Sequence, residues 1–239
     1  MILRTLTLAA ALAAIAAPAL AQSSEPETVL GNYGLSSWSF SASAGTDNRS
    51  KGISKTEGEG FVGFSAEWTS TSGLFYVSPA AETIKSSIHS ELEVELGAGV
   101  RPEFMGFDLD INATHKWQVD ANPGTDDSAW EFTGDVKRSI GPASARLRLQ
   151  YSPDGFGATE AWTWIEGRLG WEFTDRLKGT AAVGRREQDN SVDYSAWNVG
   201  VAYDLTDDLE FDLRWYDTDA GVPTETYDSA LVAAINVYF

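Results

Sequence analysis

Apolar and polar residues alternate along almost the whole of this chain, and a side-chain period of two marks a β-strand with two unlike faces. The clearest stretch sets Leu92, Val94, Leu96, Ala98 and Val100 on one face and Glu91, Glu93 and Glu95 on the other. Phe107, Leu109, Ile111 and Ala113 oppose Asp108, Asp110, Asn112 and Thr114 in the same way. Ala143, Ala145, Leu147, Leu149 and Tyr151 oppose Ser144, Arg146, Arg148 and Gln150. The pattern returns in Val199, Val201, Tyr203 and Leu205, in 209–215 and in 231–239. No long window repeats apolar residues at helical spacing, so the expected fold is all-β.

Followed from end to end, the alternation predicts about twelve strands, a count within the range of bacterial membrane barrels. They fall near 35–45, 58–69, 73–79, 88–100, 106–118, 129–138, 142–151, 160–173, 177–186, 194–205, 209–217 and 229–239. The connections sort into two kinds that take turns along the chain. Long ones cover 45–57, 78–87, 119–128, 152–159, 187–193 and 218–229. Short ones lie near 70–72, 101–105, 139–141, 174–176 and 206–208. Phe173-Thr174-Asp175-Arg176-Leu177 and Leu205-Thr206-Asp207-Asp208-Leu209 read as one turn used twice. Long loops on one rim and tight turns on the other are the plan of an antiparallel transmembrane β-barrel. A soluble sandwich would alternate equally well but has no reason to sort its loops.

Composition agrees with lipid outside and charge inside. The formal net charge is −18, from 17 Lys+Arg against 35 Asp+Glu, which gives no basic face for nucleic acid. Without cysteine there are no disulfides or thiolate metal sites, and two histidines offer little to a metal. Aromatic residues gather near predicted strand ends, as two interfacial girdles would. Trp38, Trp68, Trp171, Phe173 and Tyr203 lie toward the short turns. Trp117, Trp130, Tyr151, Trp197 and Trp215 lie toward the long loops.

The first 21 residues carry one early positive charge, Arg4, then an Ala-rich apolar run and Ala19-Leu20-Ala21. That is the layout of a cleavable export signal with its cut before Gln22. Residues 22–34 would then form a periplasmic tail, and 35–239 the barrel. Phe239 closes a last strand with apolar residues at every second position, which resembles the signal read by the outer-membrane barrel-assembly machinery.

Two loop segments carry a family resemblance. Lys51-Gly52-Ile53-Ser54-Lys55-Thr56 and Tyr151-Ser152-Pro153-Asp154-Gly155-Phe156 resemble the R-G-I-S-Q-T/S and Y-S-P-D-Y-F segments of the TorF-like porins of proteobacteria. Residues 195–201 and 215–219 are similar to that family's closing W-x-V-G-V and Y-Y-D-T-D. Lys51 stands where the family usually has Arg, and Gly155 replaces its second Tyr. The family holds its porin name by assignment, so the resemblance implies an envelope location more than any substrate. Both loop segments are also good turn sequences in their own right.

Parity assigns Glu91, Glu93, Glu95, Asp108, Asp110, Arg146, Arg148, Glu166, Arg168 and Arg214 to the inward face. In an open lumen these opposed charges would set up a transverse field across a narrow water path. In a closed one they would pair and fill it. The reading is a porin-like channel for small polar solutes or ions, weakly cation-preferring, with no cofactor and no metal. Its surroundings would be outer-membrane lipid and lipopolysaccharide. The rivals are a closed structural or adhesive barrel acting through acidic loops, and a barrel lipid hydrolase. The hydrolase reading rests on His89, the only His with inward parity. Neighbouring Ser90 points to the other face and cannot pair with it. His115 has the parity of the lipid-facing residues.

Overall fold

The computed structural model describes residues 37–239, and the proposed export signal and tail lie outside them. Among the described residues there is no helix; twelve long antiparallel strands close into a barrel. They are β1 (Ser37–Gly45), β2 (Phe61–Thr69), β3 (Phe75–Thr83), β4 (Leu92–Val100), β5 (Phe107–Val119) and β6 (Ser128–Ile140). The second half comprises β7 (Ala143–Ser152), β8 (Trp162–Thr174), β9 (Leu177–Gln188), β10 (Tyr194–Thr206), β11 (Leu209–Thr218) and β12 (Ala230–Tyr238). Each strand pairs with its neighbours in sequence, and β1 pairs with β12 to shut the ring. Closure matters because an unpaired backbone N–H or C=O in hydrocarbon costs several kcal/mol. The seam is tied at its end by Phe239 and Phe40, which exchange two backbone hydrogen bonds of 2.7 and 3.1 Å.

Side chains are arranged inside-out relative to a soluble sheet. Leu96, Ile111, Leu147, Leu149, Ile165, Leu169 and Val199 face outward and are exposed, while Asp110, Asp135, Arg148, Glu166, Asp212 and Arg214 are buried inside. All ten girdle aromatics lie on outward parity, and nine of the ten are exposed. His115 stands among them, 4.1 Å from the Trp117 ring and 4.6 Å from that of Trp130.

The long and short connections alternate as the sequence predicts. The two similar turns are indeed one device. A register shift precedes each, between Glu172 and Thr174 and between Asp204 and Thr206. The threonine hydroxyl then caps the turn. Thr174 Oγ1 accepts from the Arg176 and Leu177 amides, and Thr206 Oγ1 accepts from that of Asp208.

Two boundaries differ from expectation by four residues. The third strand runs on to Thr83, through residues read as loop. Pro79 donates no amide hydrogen and interrupts the ladder to β2, but the pairing resumes in the same register on either side of it. The fourth strand begins only at Leu92, because His89 adopts a left-handed φ of 69° that a strand cannot hold.

Candidate functional site: the charged lumen

The inward face carries two charge systems on adjoining stretches of wall, joined where β6 pairs with β7. On the β7–β8 wall, Arg148 grips Asp135 of β6 with two parallel hydrogen bonds of 2.8 and 2.6 Å. Arg146 reaches Glu166 at 2.7 Å, and Arg168 approaches the same carboxylate at 3.4 Å. Asp110, Asp135, Arg148 and Glu166 are direct register partners across β5, β6, β7 and β8, so a row of charge crosses four strands. Farther round, Arg214 binds Asp212 at 2.9 Å, Thr180 at 2.7 Å and Asn198 at 2.9 Å.

The β2–β6 wall is richer in carboxylates. Toward the short turns, Arg101 holds Glu67 in a fork at 2.6 and 2.7 Å and donates to Asp110 at 3.0 Å. Its guanidinium lies 3.8 Å from the Tyr76 ring centre, and the Tyr76 hydroxyl donates to Asp110 at 2.7 Å. Toward the long loops, Glu82, Glu93 and Glu95 bring carboxylate oxygens within 4.8 Å of one another. Two ammonium groups occupy this nest. Lys55 bonds Glu93 at 2.7 Å and also Glu82; Lys116 bonds Glu95 at 2.8 Å.

Lys55 comes from the long loop 46–60, which folds into the barrel. Asp47, Asn48, Arg49, Lys51, Ser54 and Thr56 are all buried. The loop holds its own shape through Asp47, whose carboxylate accepts from Arg49 at 2.6 Å and from the Ser54 and Thr56 hydroxyls at 2.5 and 3.0 Å. Its tip is a tight hairpin in which Arg49–Ser50 pair with Ile53–Ser54. Lys51 and Gly52 turn it at φ 53° and 83°. A Cβ on Gly52 would lie 2.2 Å from that of Ala196 on β10, so glycine alone lets the tip reach this wall.

The loop therefore bridges the lumen at its long-loop end. Lys51 bonds Glu131 of β6 at 3.0 Å, Lys55 the β3–β4 carboxylates, and Arg49 lies 5.8 Å from the Tyr216 ring centre of β11. An inward aromatic cluster of Trp162, Trp164 and Tyr194 receives Ile53 of the loop and Tyr227 of the loop before β12. Two cations lie over the Trp162 ring, Lys51 Nζ at 4.6 Å and Arg186 Cζ at 4.3 Å from its centre. Burial pushes the Lys51 ammonium down from 10.5 to about 8, with Glu131 opposing part of that fall.

Of the residues that parity assigned inward, Glu93, Glu95, Asp110, Arg146, Arg148, Glu166, Arg168 and Arg214 sit inside this network. Glu91 and Asp108 do not. Glu91 is exposed in the loop before β4, since that strand starts after it. Asp108 is exposed at the short-turn rim, opposite Glu103 and Lys137. His89 is also in the 84–91 loop, with Nδ1 2.7 Å from the Asn122 amide nitrogen, and not on the lumen wall. Ser90 is buried and donates to the Val119 carbonyl at 2.6 Å. The sequence reading missed Lys51, Lys55, Glu82, Lys116 and Glu131. Trp162 and Trp164 share the parity of Glu166, which was the available signal for an inward aromatic cluster.

A closed twelve-stranded barrel with an apolar outer face and a charged interior is the build of an outer-membrane β-barrel protein of Gram-negative bacteria. Residues 31–237 match the family described as "Bacterial protein of unknown function (Gcw_chp)", and the chain belongs to that family. Its fold is similar to that of the NanC porin, with TM-score 0.55 and 9% identity over 84% of this chain and 98% of that one. It is also similar to an outer membrane channel from Pseudomonas putida F1, with TM-score 0.54 and 7% identity over 90% and 98% of the two chains. No curated protein matches the sequence.

Proposed function

We propose that this protein is a porin-like outer-membrane channel that passes small polar solutes or ions, with a weak preference for cations. The observation that carries the reading is the loop 46–60, which enters the lumen and narrows it against the carboxylates of β3, β4 and β6, held there by Lys51 and Lys55. Such a constriction sets a transverse field at the narrowest point, where it acts most strongly on a solute stripped of bulk water. The fold shared with a porin and a channel supports it. Membership of the TorF-like porin group is part of the same proposal, and its K-G-I-S-K-T segment is the inserted hairpin. Lipopolysaccharide around the long loops, and recognition by the barrel-assembly machinery through Phe239, which follows β12, belong to it as well.

Planar-bilayer recording on the purified barrel tests it. Discrete conductance steps, with a reversal potential shifted toward the cation potential under a salt gradient, are expected. Anion selectivity would reverse the selectivity claim. A folded, heat-modifiable barrel that never conducts would favour the closed structural reading, to which the ion pairs and aromatic packing of loop 46–60 also lend themselves.

A further inference from the structure

One feature of the outer surface is unlike the rest of it. The turn between β4 and β5 continues as a small hairpin, in which Phe104 pairs with Phe107 around Met105 and Gly106. Both central residues are left-handed, at φ 51° and 76°, as a two-residue hairpin turn of this hand requires. Asn-Gly or Asp-Gly is the usual choice there, because Asn and Asp tolerate positive φ. Met105, like Lys51 in the loop hairpin, lacks the short polar side chain that eases this conformation. Here the side chain is 80% exposed and its neighbour Phe104 is 63% exposed.

Met105 and Phe104 form one side of an open cavity of about 230 Å³, completed by Phe107, Leu109 and Val136. All five lining residues are apolar. Phe107, Leu109 and Val136 have outward parity, so the cavity opens on the lipid side of the wall, at the short-turn rim. Beside it stands Arg138, exposed, with its guanidinium 4.8 Å from the Phe107 ring centre. Among the described strand residues, Arg138 is the only charged side chain with outward parity at that rim.

The geometry points to a seat for one anionic phospholipid of the inner leaflet, with an acyl chain in the Phe104–Met105–Val136 cavity and the phosphate on Arg138. An apolar hollow facing lipid is filled by hydrocarbon. A lone cation stacked on an aromatic ring at headgroup level supplies the charge complement that an anionic lipid offers and a neutral one lacks. A protein partner in the periplasm would meet the turn end-on and not this side of it.

Native mass spectrometry of the full protein released from detergent micelles, with phosphatidylglycerol or phosphatidylcholine titrated in, tests the seat. One phosphatidylglycerol should stay bound at collision energies that strip phosphatidylcholine. Arg138→Gln should lower that retention by about tenfold, as expected for loss of a charge-assisted contact. Met105→Asn suits the turn better, so it should fold at least as well while losing lipid. Equal retention of the two lipids, or unchanged phosphatidylglycerol retention in both variants, would overturn the proposal. So would a dimer with the cavity occupied by a second copy and no lipid.

Discussion

Lys51, at the tip of a loop, and Glu131, on strand β6, are joined by a 3.0 Å ion pair inside the barrel, with both side chains at most 9% exposed. Eighty positions apart in sequence, they fix the depth to which loop 46–60 enters the lumen. Burial makes this a costly place for an ammonium, and Glu131 offsets only part of the cost.

The pair should therefore titrate in an unusual range. Lys51 loses its proton near 8 when the loop is docked and near 10.5 when it is released. Between those values the released loop holds a proton that the docked loop lacks, so docking strengthens as pH rises from about 8 toward 10.5. Below that window Lys51 is charged in both states and the penalty is fully present. Lys55 behaves oppositely. Burial alone would lower it, but Glu82 and Glu93 together hold it above its ordinary 10.5, so its contribution is complete below 10.5 and fades only at more alkaline pH. Competitive acylation of the folded barrel, read peptide by peptide, should give Lys51 a midpoint near 8. A midpoint at 10.5 would mean that the loop is not docked as described.

Lys55 is the stronger latch, since it neutralises Glu82 and Glu93 together. Lys55→Met leaves Glu93 with Lys116, 3.7 Å away, as its remaining cation and takes from Glu82 the ammonium it is paired with. Removing one partner of a buried pair typically costs about 3–5 kcal/mol. The ladder of β3 and β4 does not depend on that side chain, so the barrel should persist while the loop lifts out. Single-channel conductance should rise severalfold at unchanged strand content by circular dichroism. Unchanged conductance would show that the loop does not set the narrowest point.

The outward half of this architecture was legible in the sequence because lipid imposes one rule on every outward position. Leu147, Leu149 and Ile165 could face nothing else once the period was seen. The inward half obeys no single rule. Asp47, Arg49 and Lys51 are what a solvated loop would carry, and a charged lumen accepts the same residues. What separates the two cases is a partner far away in sequence, such as Glu131 for Lys51. Glu82, the partner of Lys55, lay in the 78–87 segment read as loop, whereas the third strand runs on to Thr83. Glu91 and His89 were misplaced for a local reason, since the left-handed turn at His89 delays β4 to Leu92.

The arginine wall makes a prediction about stability that separates charge from packing. Arg148 is the fork-bonded partner of a nearly sealed Asp135 carboxylate. Arg148→Ala strands that carboxylate and should destabilise the barrel by about 3–5 kcal/mol. Arg148→Met with Asp135→Leu removes both charges at similar volume and should recover most of the loss. Urea midpoints for unfolding from micelles would rank the three proteins. A double variant no better than the single would mean that the loss comes from lost packing and not from an orphaned carboxylate.

Strand β9 offers a test of how the lumen accommodates its large inward groups. Gly184 faces the interior beneath Trp164, and a Cβ there would fall 2.2 Å from the indole Cζ2 and 2.8 Å from the Ile165 carbonyl oxygen. The backbone oxygen belongs to the β8–β9 ladder and yields little, so the ladder is strained there and the indole must move as well. Displacing Trp164 would break its packing with Tyr194 and loosen the cluster that receives Ile53 of the inserted loop. Gly184→Ala should therefore cost about 1–3 kcal/mol, the usual penalty of overpacking a filled interior. It should also make loop 46–60 easier to cleave after Lys51 or Lys55. Gly167, on the neighbouring strand, has open space around the corresponding Cβ position and outward parity, so Gly167→Ala adds a methyl group toward lipid at no steric cost. The two variants carry the same chemical change on adjacent strands. Only the inward one should lower the unfolding midpoint and expose the loop to protease; equal behaviour would show that Trp164 does not depend on the niche that Gly184 leaves.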